Sequence, residues 1–204
     1  MDIEKLRVAD LKARLAAGGD VQSLLAAMKE DGRVSVRKLA ASYMRQKVRE
    51  EAERERVLHM YAQESIYYND ELYHVAGIDE AGRGPAAGPV MVAAVILPPY
   101  WECPGLNDSK KVSPAKRDIL YDKIMAEAVA VSCVAKSEKE IDELDIYHAT
   151  MQGMYDAVNG LTVPADAVLV DAMPLRELTV PHKSLAHGDA LSASIAAASI
   201  IAKV

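Results

Sequence analysis

Gly77-Ile78-Asp79-Glu80-Ala81-Gly82-Arg83-Gly84-Pro85-Ala86-Ala87-Gly88-Pro89 closes one apolar run and precedes another, Val90 to Leu97. Two adjacent carboxylates stand at the end of the first run. Behind them comes a glycine loop with one arginine. Acids at a strand end suit a hard divalent cation, and exposed backbone amides beside a guanidinium suit a phosphate. The pair points to metal-assisted chemistry on a phosphodiester. The loop does not fit a dinucleotide fingerprint: its glycines are spaced Gly-x-Gly-x-x-x-Gly, and a strand-like run follows where that motif needs a helix. Acids directly before the loop would also repel a pyrophosphate.

Outward from this stretch, apolar runs alternate with helical patterns. His74–Ile78, Val90–Leu97 and Val129–Ala135 read as strands, and Ala167-Val168-Leu169-Val170 as a short buried strand ending on Asp171. Pro114–Ala128, Ile146–Val158 and Ser192–Val204 read as helices, the last rich in alanine and serine and suited to close packing on a sheet. Alternation of this kind gives an α/β or α+β class.

Residues 1–72 read as a helical extension and 73–204 as a second domain. Leu6, Leu11 and Leu15 lie near one helix face, and Asp20 is placed to cap a helix running through Met28. Ser35 is placed to cap a longer helix carrying Val36, Leu39, Ala40 and Tyr43 on one face. Glu50 to Arg56 reads as a solvated face. Arg33, Arg37, Lys38, Arg45, Lys47 and Arg49 fall in a stretch without acids, which is either a contact to nucleic-acid backbone or another solvated face.

The 204 residues are half apolar and 26% charged, ordinary for a globular chain with a real core. Residues 1–72 hold thirteen basic and thirteen acidic side chains, so the whole net charge of −6 sits in 73–204. An acidic body argues mildly against broad nucleic-acid affinity, but clustered acids are what a divalent-metal site requires. No run approaches the roughly 18 apolar residues of a membrane span, and the first residues do not form a signal peptide. Cys103 and Cys133 match no metal or redox spacing, which favours a reduced, cytoplasmic setting. The histidines (His59, His74, His148, His182, His187) show no ligand spacing either.

Asp79-Glu80, Asp171 and Asp189 each put an acid at a strand end or helix start. Singly, Asp79 and Asp171 are candidate turn residues and Asp189 a candidate helix cap. At one sheet edge, four carboxylates would repel one another unless cations neutralised them.

These pieces resemble ribonuclease HII. The matching residues run in order: Gly77 to Pro85, Asp108-Ser109-Lys110-Lys111, Ala149-Thr150 with Met154, Leu169-Val170-Asp171, and Gly188-Asp189 followed by Ser192 and Ser194 to Val204. They span about two thirds of the chain. The resemblance implies a ribonuclease H-like mixed sheet flanked by helices, here preceded by a small helical region. It implies cleavage of RNA in RNA–DNA hybrids and at single ribonucleotides in duplex DNA, on the 5′ side, leaving 3′-hydroxyl and 5′-phosphate ends. It makes Asp79, Glu80, Asp171 and Asp189 the catalytic acids, holding Mg²⁺ or Mn²⁺ in a two-ion site. Gly82, Arg83 and Gly84 become the loop that senses the ribose 2′-hydroxyl and a neighbouring phosphate, and Lys110 a substrate contact. No protein partner is implied.

The sister family, ribonuclease HIII, has glutamate as its fourth acid and a sheet-forming N-terminal domain, so type HII is favoured. Asp145 stands where the family often has asparagine, and is either neutral or adds charge near the site. The resemblance also implies further helices beyond Val204, with a tyrosine that stacks on the ribose. On that ground the chain is read as truncated, with weakened substrate binding and uncovered apolar surface expected. The competing readings are an inactive hybrid-binding protein and a nuclease of the same fold acting on DNA.

Overall fold

The structure, a computed structural model, describes residues 3–84 and 88–204, so Pro85-Ala86-Ala87 of the glycine loop lie outside the described residues. The chain packs as two compact units, Met1–Glu53 and Arg54–Val204. In the first unit, α1 (Val8–Ala17), α2 (Val21–Glu30) and the start of α3 (Val34–His59) enclose Leu11, Leu15, Leu24, Met28, Val36 and Ala40. Asp20 caps α2 as expected, accepting from the Ser23 N–H at 3.1 Å.

Two readings of this region change. Helix α3 begins at Val34, so Ser35 lies inside its first turn rather than at the cap. Two members of the basic stretch bond backbone carbonyls of their own unit, Arg33 half-buried and Arg37 exposed. Arg33 donates to the carbonyls of Leu6 (2.6 Å) and Ile3 (3.0 Å) and pairs with Asp31 at 2.6 Å. Arg37 donates to the carbonyls of Asp31 and Gly32.

The second unit is built on a five-stranded sheet: β1 (Val75–Ala81), β2 (Val90–Ile96), β3 (Ala130–Lys136), β4 (Ala167–Asp171) and β5 (His182–Leu185). Its order is β3-β2-β1-β4-β5. Strand β2 runs antiparallel to both β1 and β3, while β4 runs parallel to both β1 and β5. The central strands are apolar on both sides because both faces are covered. On one face, Val75, Ala93, Val95 and Leu169 pack with α9 (Ala193–Lys203). On the other, Ala76, Ile78, Val92, Ala94, Val168 and Val170 meet Met154 and Ala157 of α7 (Ile146–Asn159).

Gly77 explains how closely α9 lies on β1. A Cβ at this position would collide with the backbone of Ser194 and Ile195. The helix's run of alanines and serines brings backbone against backbone without leaving a void.

Residues after Arg54 join this unit. Val57, Tyr61 and Tyr68 are buried in the core beneath α9, with Tyr61 donating its hydroxyl to the Trp101 carbonyl at 3.1 Å. Within the stretch read as a solvated face, Arg54 pairs with Glu102 at 2.8 Å and Arg56 donates to the Leu106 carbonyl at 2.6 Å.

Three elements were not read from the sequence. Strand β5 exposes His182, Lys183 and Ser184 and buries only Leu185, as an edge strand does. Helix α6 (Glu138–Leu144) buries nothing, but Ser137 and Glu140 form a capping box that the pattern Ser-x-x-Glu carries in plain sight. Helix α8 (Gly188–Leu191) is a single turn.

Candidate active site

Strand register sets the site. Parallel pairing of β1 with β4 ends at Ile78↔Val170, and the next residues of the two strands are Asp79 and Asp171. Side chains alternate across a strand, so Asp79 shares a face with Val75, and Asp171 with Ala167 and Leu169. That face is the one α9 covers. Helix α8 leads directly into α9 and brings Asp189 to the same edge. Among the described residues, Asp79, Asp171 and Asp189 offer carboxylate oxygens that all lie within 4.8 Å of one another.

The turn reading of Asp79 and the cap reading of Asp189 change, while Asp171 does start a turn, its carbonyl accepting the Met173 N–H at 2.7 Å. Asp79 is buried inside β1 rather than in a turn, and its Oδ1 accepts the Glu80 N–H at 2.8 Å. Asp171 accepts the Gly188 N–H at 2.7 Å, tying β4 to the start of α8. Asp189 does not cap α9. Ser192 does, its hydroxyl accepting the Ile195 N–H at 3.2 Å.

Glu80 is placed differently from the other three. The strand continues through Ala81 instead of stopping at Ile78, so alternation sends Glu80 to the opposite face from Asp79. Its carboxylate lies 3.5 Å from Arg83, while Oε2 is buried with no hydrogen-bond partner among the described residues. Burial raises its pKa, Arg83 opposes that, and Asp171 adds to it.

The electrostatics are those of a site short of positive charge. Burial first, then Glu80 and Asp171, push the Asp79 carboxyl up to about 7. The Asp189 carboxyl is raised by burial and by its neighbours Asp108 and Asp171, against the pull of Lys110. Lys110 approaches Asp189 at 3.9 Å but is largely exposed, so its screening is weak.

Two contributors were not picked out as site residues. Asp108 is buried and faces Asp189. Ser199 of α9 hydrogen-bonds Ser109 through both hydroxyls at 2.8 Å and lies close enough to Asp79 to favour its charged form. Both stand in the matched segments, but only the packing of α9 shows what they touch.

In the loop, Gly82 has φ +92°, and a Cβ there would strike the Pro89 carbonyl. Arg83 and Gly84 are exposed beyond it. Asp145 is a helix cap: it accepts the N–H groups of Tyr147 (2.9 Å) and His148 (3.0 Å) and contacts the His148 ring at 2.7 Å. Its charge is answered by the first turn of α7.

A mixed five-stranded sheet, helices on both faces and acids gathered from two parallel strands and a following helix define a ribonuclease H-like fold. Solved structures agree. Ribonuclease H2 from Pyrococcus horikoshii OT3 matches with a TM-score of 0.55 at 27% identity, over 63% of this chain and 70% of that one. The ribonuclease HII of Archaeoglobus fulgidus, solved in complex with PCNA, matches at 0.53 and 28% identity, over 64% and 71%.

The ribonuclease HII profile matches residues 76–204, and the ribonuclease HII N-terminal domain profile matches residues 7–68. A ribonuclease HII of Bacillus cereus is 49% identical over 175 residues, covering 86% of this chain and 68% of the relative. The chain belongs to the ribonuclease HII family and is an endonuclease of that type. No helix among the described residues is long and apolar enough to cross a membrane.

Proposed function

We propose that this chain hydrolyses the RNA strand of RNA–DNA hybrids and cuts duplex DNA at single embedded ribonucleotides, on the 5′ side, with Mg²⁺ or Mn²⁺ as cofactor. One observation carries the reading: oxygens of Asp79, Asp171 and Asp189 converge within 4.8 Å at one sheet edge. An all-carboxylate donor set suits hard cations of this kind. The raised Asp79 and the orphaned Glu80 Oε2 are also what a missing positive charge would leave.

In this reading Asp79, Asp171 and Asp189 would hold the metal, with Glu80 as the fourth acid beside them. When bound, divalent cations lower the pKa of a water nucleophile and stabilise the leaving oxygen. The protein's own part is positioning. Ser199 favours the charged form of Asp79, and the Gly188 N–H fixes the Asp171 carboxylate.

Gly82 and Gly84 let the loop backbone approach the ribose, and Arg83 carries the charge that meets a phosphate. The 2′-hydroxyl is the feature that separates the target from neighbouring deoxynucleotides. Lys110, 3.9 Å from Asp189, would be a further substrate contact. The helical unit up to Glu53 would add backbone contacts through Lys38, Arg45 and Arg49. A reduced cytoplasmic setting suits the two unpaired thiols.

The test is a panel of three duplexes with either metal: an RNA–DNA hybrid, DNA with one ribonucleotide, and the same DNA without it. Cleavage of the first two alone is expected. Equal cutting of the all-DNA duplex would make the chain a DNA nuclease, and binding in a gel shift without cleavage would make it a hybrid-binding protein. Arg83→Ala is expected to lower kcat/KM at the single ribonucleotide by about tenfold, the worth of one charge-assisted hydrogen bond. Unchanged kcat/KM would remove Arg83 from the interface.

A further inference from the structure

Glu64 is buried more deeply than any of the acids just described, and no step proposed so far uses it. It lies on α4 (Glu64–Tyr68), in the stretch matched by the N-terminal domain profile, yet it packs within the sheet unit. Its Oε1 accepts the Ser192 hydroxyl at 2.6 Å and the Ser194 N–H at 2.9 Å. Ser192 is the cap of α9, and Ser194 is in its first turn. The carboxyl thus closes the start of α9 from outside that helix, satisfying one of the backbone donors that a helix cannot pair within itself.

The bonds continue into the acid cluster. The Ser192 N–H donates to the Gly188 carbonyl at 2.8 Å, and the Gly188 N–H donates to Asp171 at 2.7 Å. Asp189 sits between those two anchors. Helix α8 is one turn long and too short to hold its own shape, so its place is set by tertiary contacts. Resting on the acid-site reading above, we propose that Glu64 is a positioning residue that fixes α8, and with it Asp189, for metal binding.

A purely structural account of Glu64 fits poorly with its cost. Burial raises its pKa, and Oε2 has no hydrogen-bond partner among the described residues. A side chain of similar size without polar atoms would cover the same core at no such penalty. What an apolar side chain lacks is the double acceptor that ties α9 to α4.

Leucine at this position keeps the volume and removes the acceptor, and glutamine keeps an oxygen acceptor for both donors. Mn²⁺ binding to the full chain, counted by electron paramagnetic resonance of the free ion, is the readout alongside cleavage of the single-ribonucleotide duplex. Glu64→Leu is expected to weaken Mn²⁺ about tenfold, the usual lower bound for losing a residue that orients a ligand. Cleavage should fall in kcat with little change in KM for the duplex. Glu64→Gln should restore most of both.

Wild-type Mn²⁺ affinity in a folded Glu64→Leu protein, or a Glu64→Gln protein as defective as the leucine one, would overturn the proposal. If Glu64→Leu does not fold, Ser192→Ala removes the hydroxyl that Glu64 accepts. It should then weaken Mn²⁺ in the same direction, and an unchanged affinity would again overturn the role. If the wild-type chain itself bound no Mn²⁺, the acid-site reading would fail first. Normal wild-type binding with indifferent Glu64 variants refutes this inference alone.

Discussion

Asp79→Asn should abolish metal-dependent cleavage and, in the same protein, raise the stability of the metal-free fold. The loss of activity follows from removing one of the three acids of the cluster, the one that follows the last β1–β4 register pair, Ile78↔Val170, on β1. A charge interaction worth several kcal/mol in the transition state corresponds to about 10³-fold or more in rate.

The gain in stability follows from the pKa. The Asp79 carboxyl lies at about 7 in the fold against an ordinary 3.8. The folded protein therefore holds a proton that the unfolded chain releases. Stability of the metal-free protein declines as pH rises from about 4 to about 7, and the full penalty, on the order of a few kcal/mol, stands above that. Asparagine carries no such penalty, and its amide oxygen can still accept the Glu80 N–H. Melting in chelator at pH 8 should place Asp79→Asn several degrees above wild type, with the gap narrowing towards pH 5. A variant that melts lower at pH 8 contradicts the stability half of the account, and one that cuts as well as wild type contradicts the catalytic half.

Gly77→Ala is the second large effect, and it acts through the fold. The added methyl would be driven into the backbone of Ser194 and Ile195, where no flexible side chain can yield. Overpacking of this kind costs about 3 kcal/mol or more. For a chain of this size that is roughly a 10 °C fall in melting temperature. Because α9 must lift to admit the methyl, Ser192 and Asp189 move with it, and cleavage should drop even where the variant remains folded. Gly84→Ala is the control: among the described residues nothing lies within 4 Å of a Cβ there, so its melting temperature should match wild type. A Gly77→Ala protein as stable as wild type would mean that α9 does not pack on β1 as described.

The parts of this architecture that apolar patterning controls were legible in the sequence. Strands β1, β2, β3 and β4 and helices α5 (Pro114–Glu127), α7 and α9 fall within a few residues of the runs that announce them. So does the gathering of Asp79, Asp171 and Asp189, because acids that follow apolar strands collect at the sheet edge. The polar elements were not legible. Strand β5 buries one side chain and α6 none, so neither leaves a periodic trace.

The separation of Glu80 from Asp79 depends on where β1 stops. With the strand ending at Ile78 the two acids form one loop pair, but with the strand reaching Ala81 they face opposite ways. Nor could the basic stretch be resolved by counting charges. Arg33 and Arg37 bind carbonyls of their own unit, which only tertiary geometry reveals. Glu64 is the extreme case: one glutamate among many in the sequence, and a buried clamp in the fold.

The central claim is that Asp79, Asp171 and Asp189, drawn together by strand register and a one-turn helix, form a divalent-metal site. Anomalous diffraction from crystals of the full chain soaked in Mn²⁺ tests it most directly. The account requires a peak within coordination distance of all three carboxylates, and its loss in Asp171→Asn. A peak elsewhere, or none while the three acids remain in place, would contradict it.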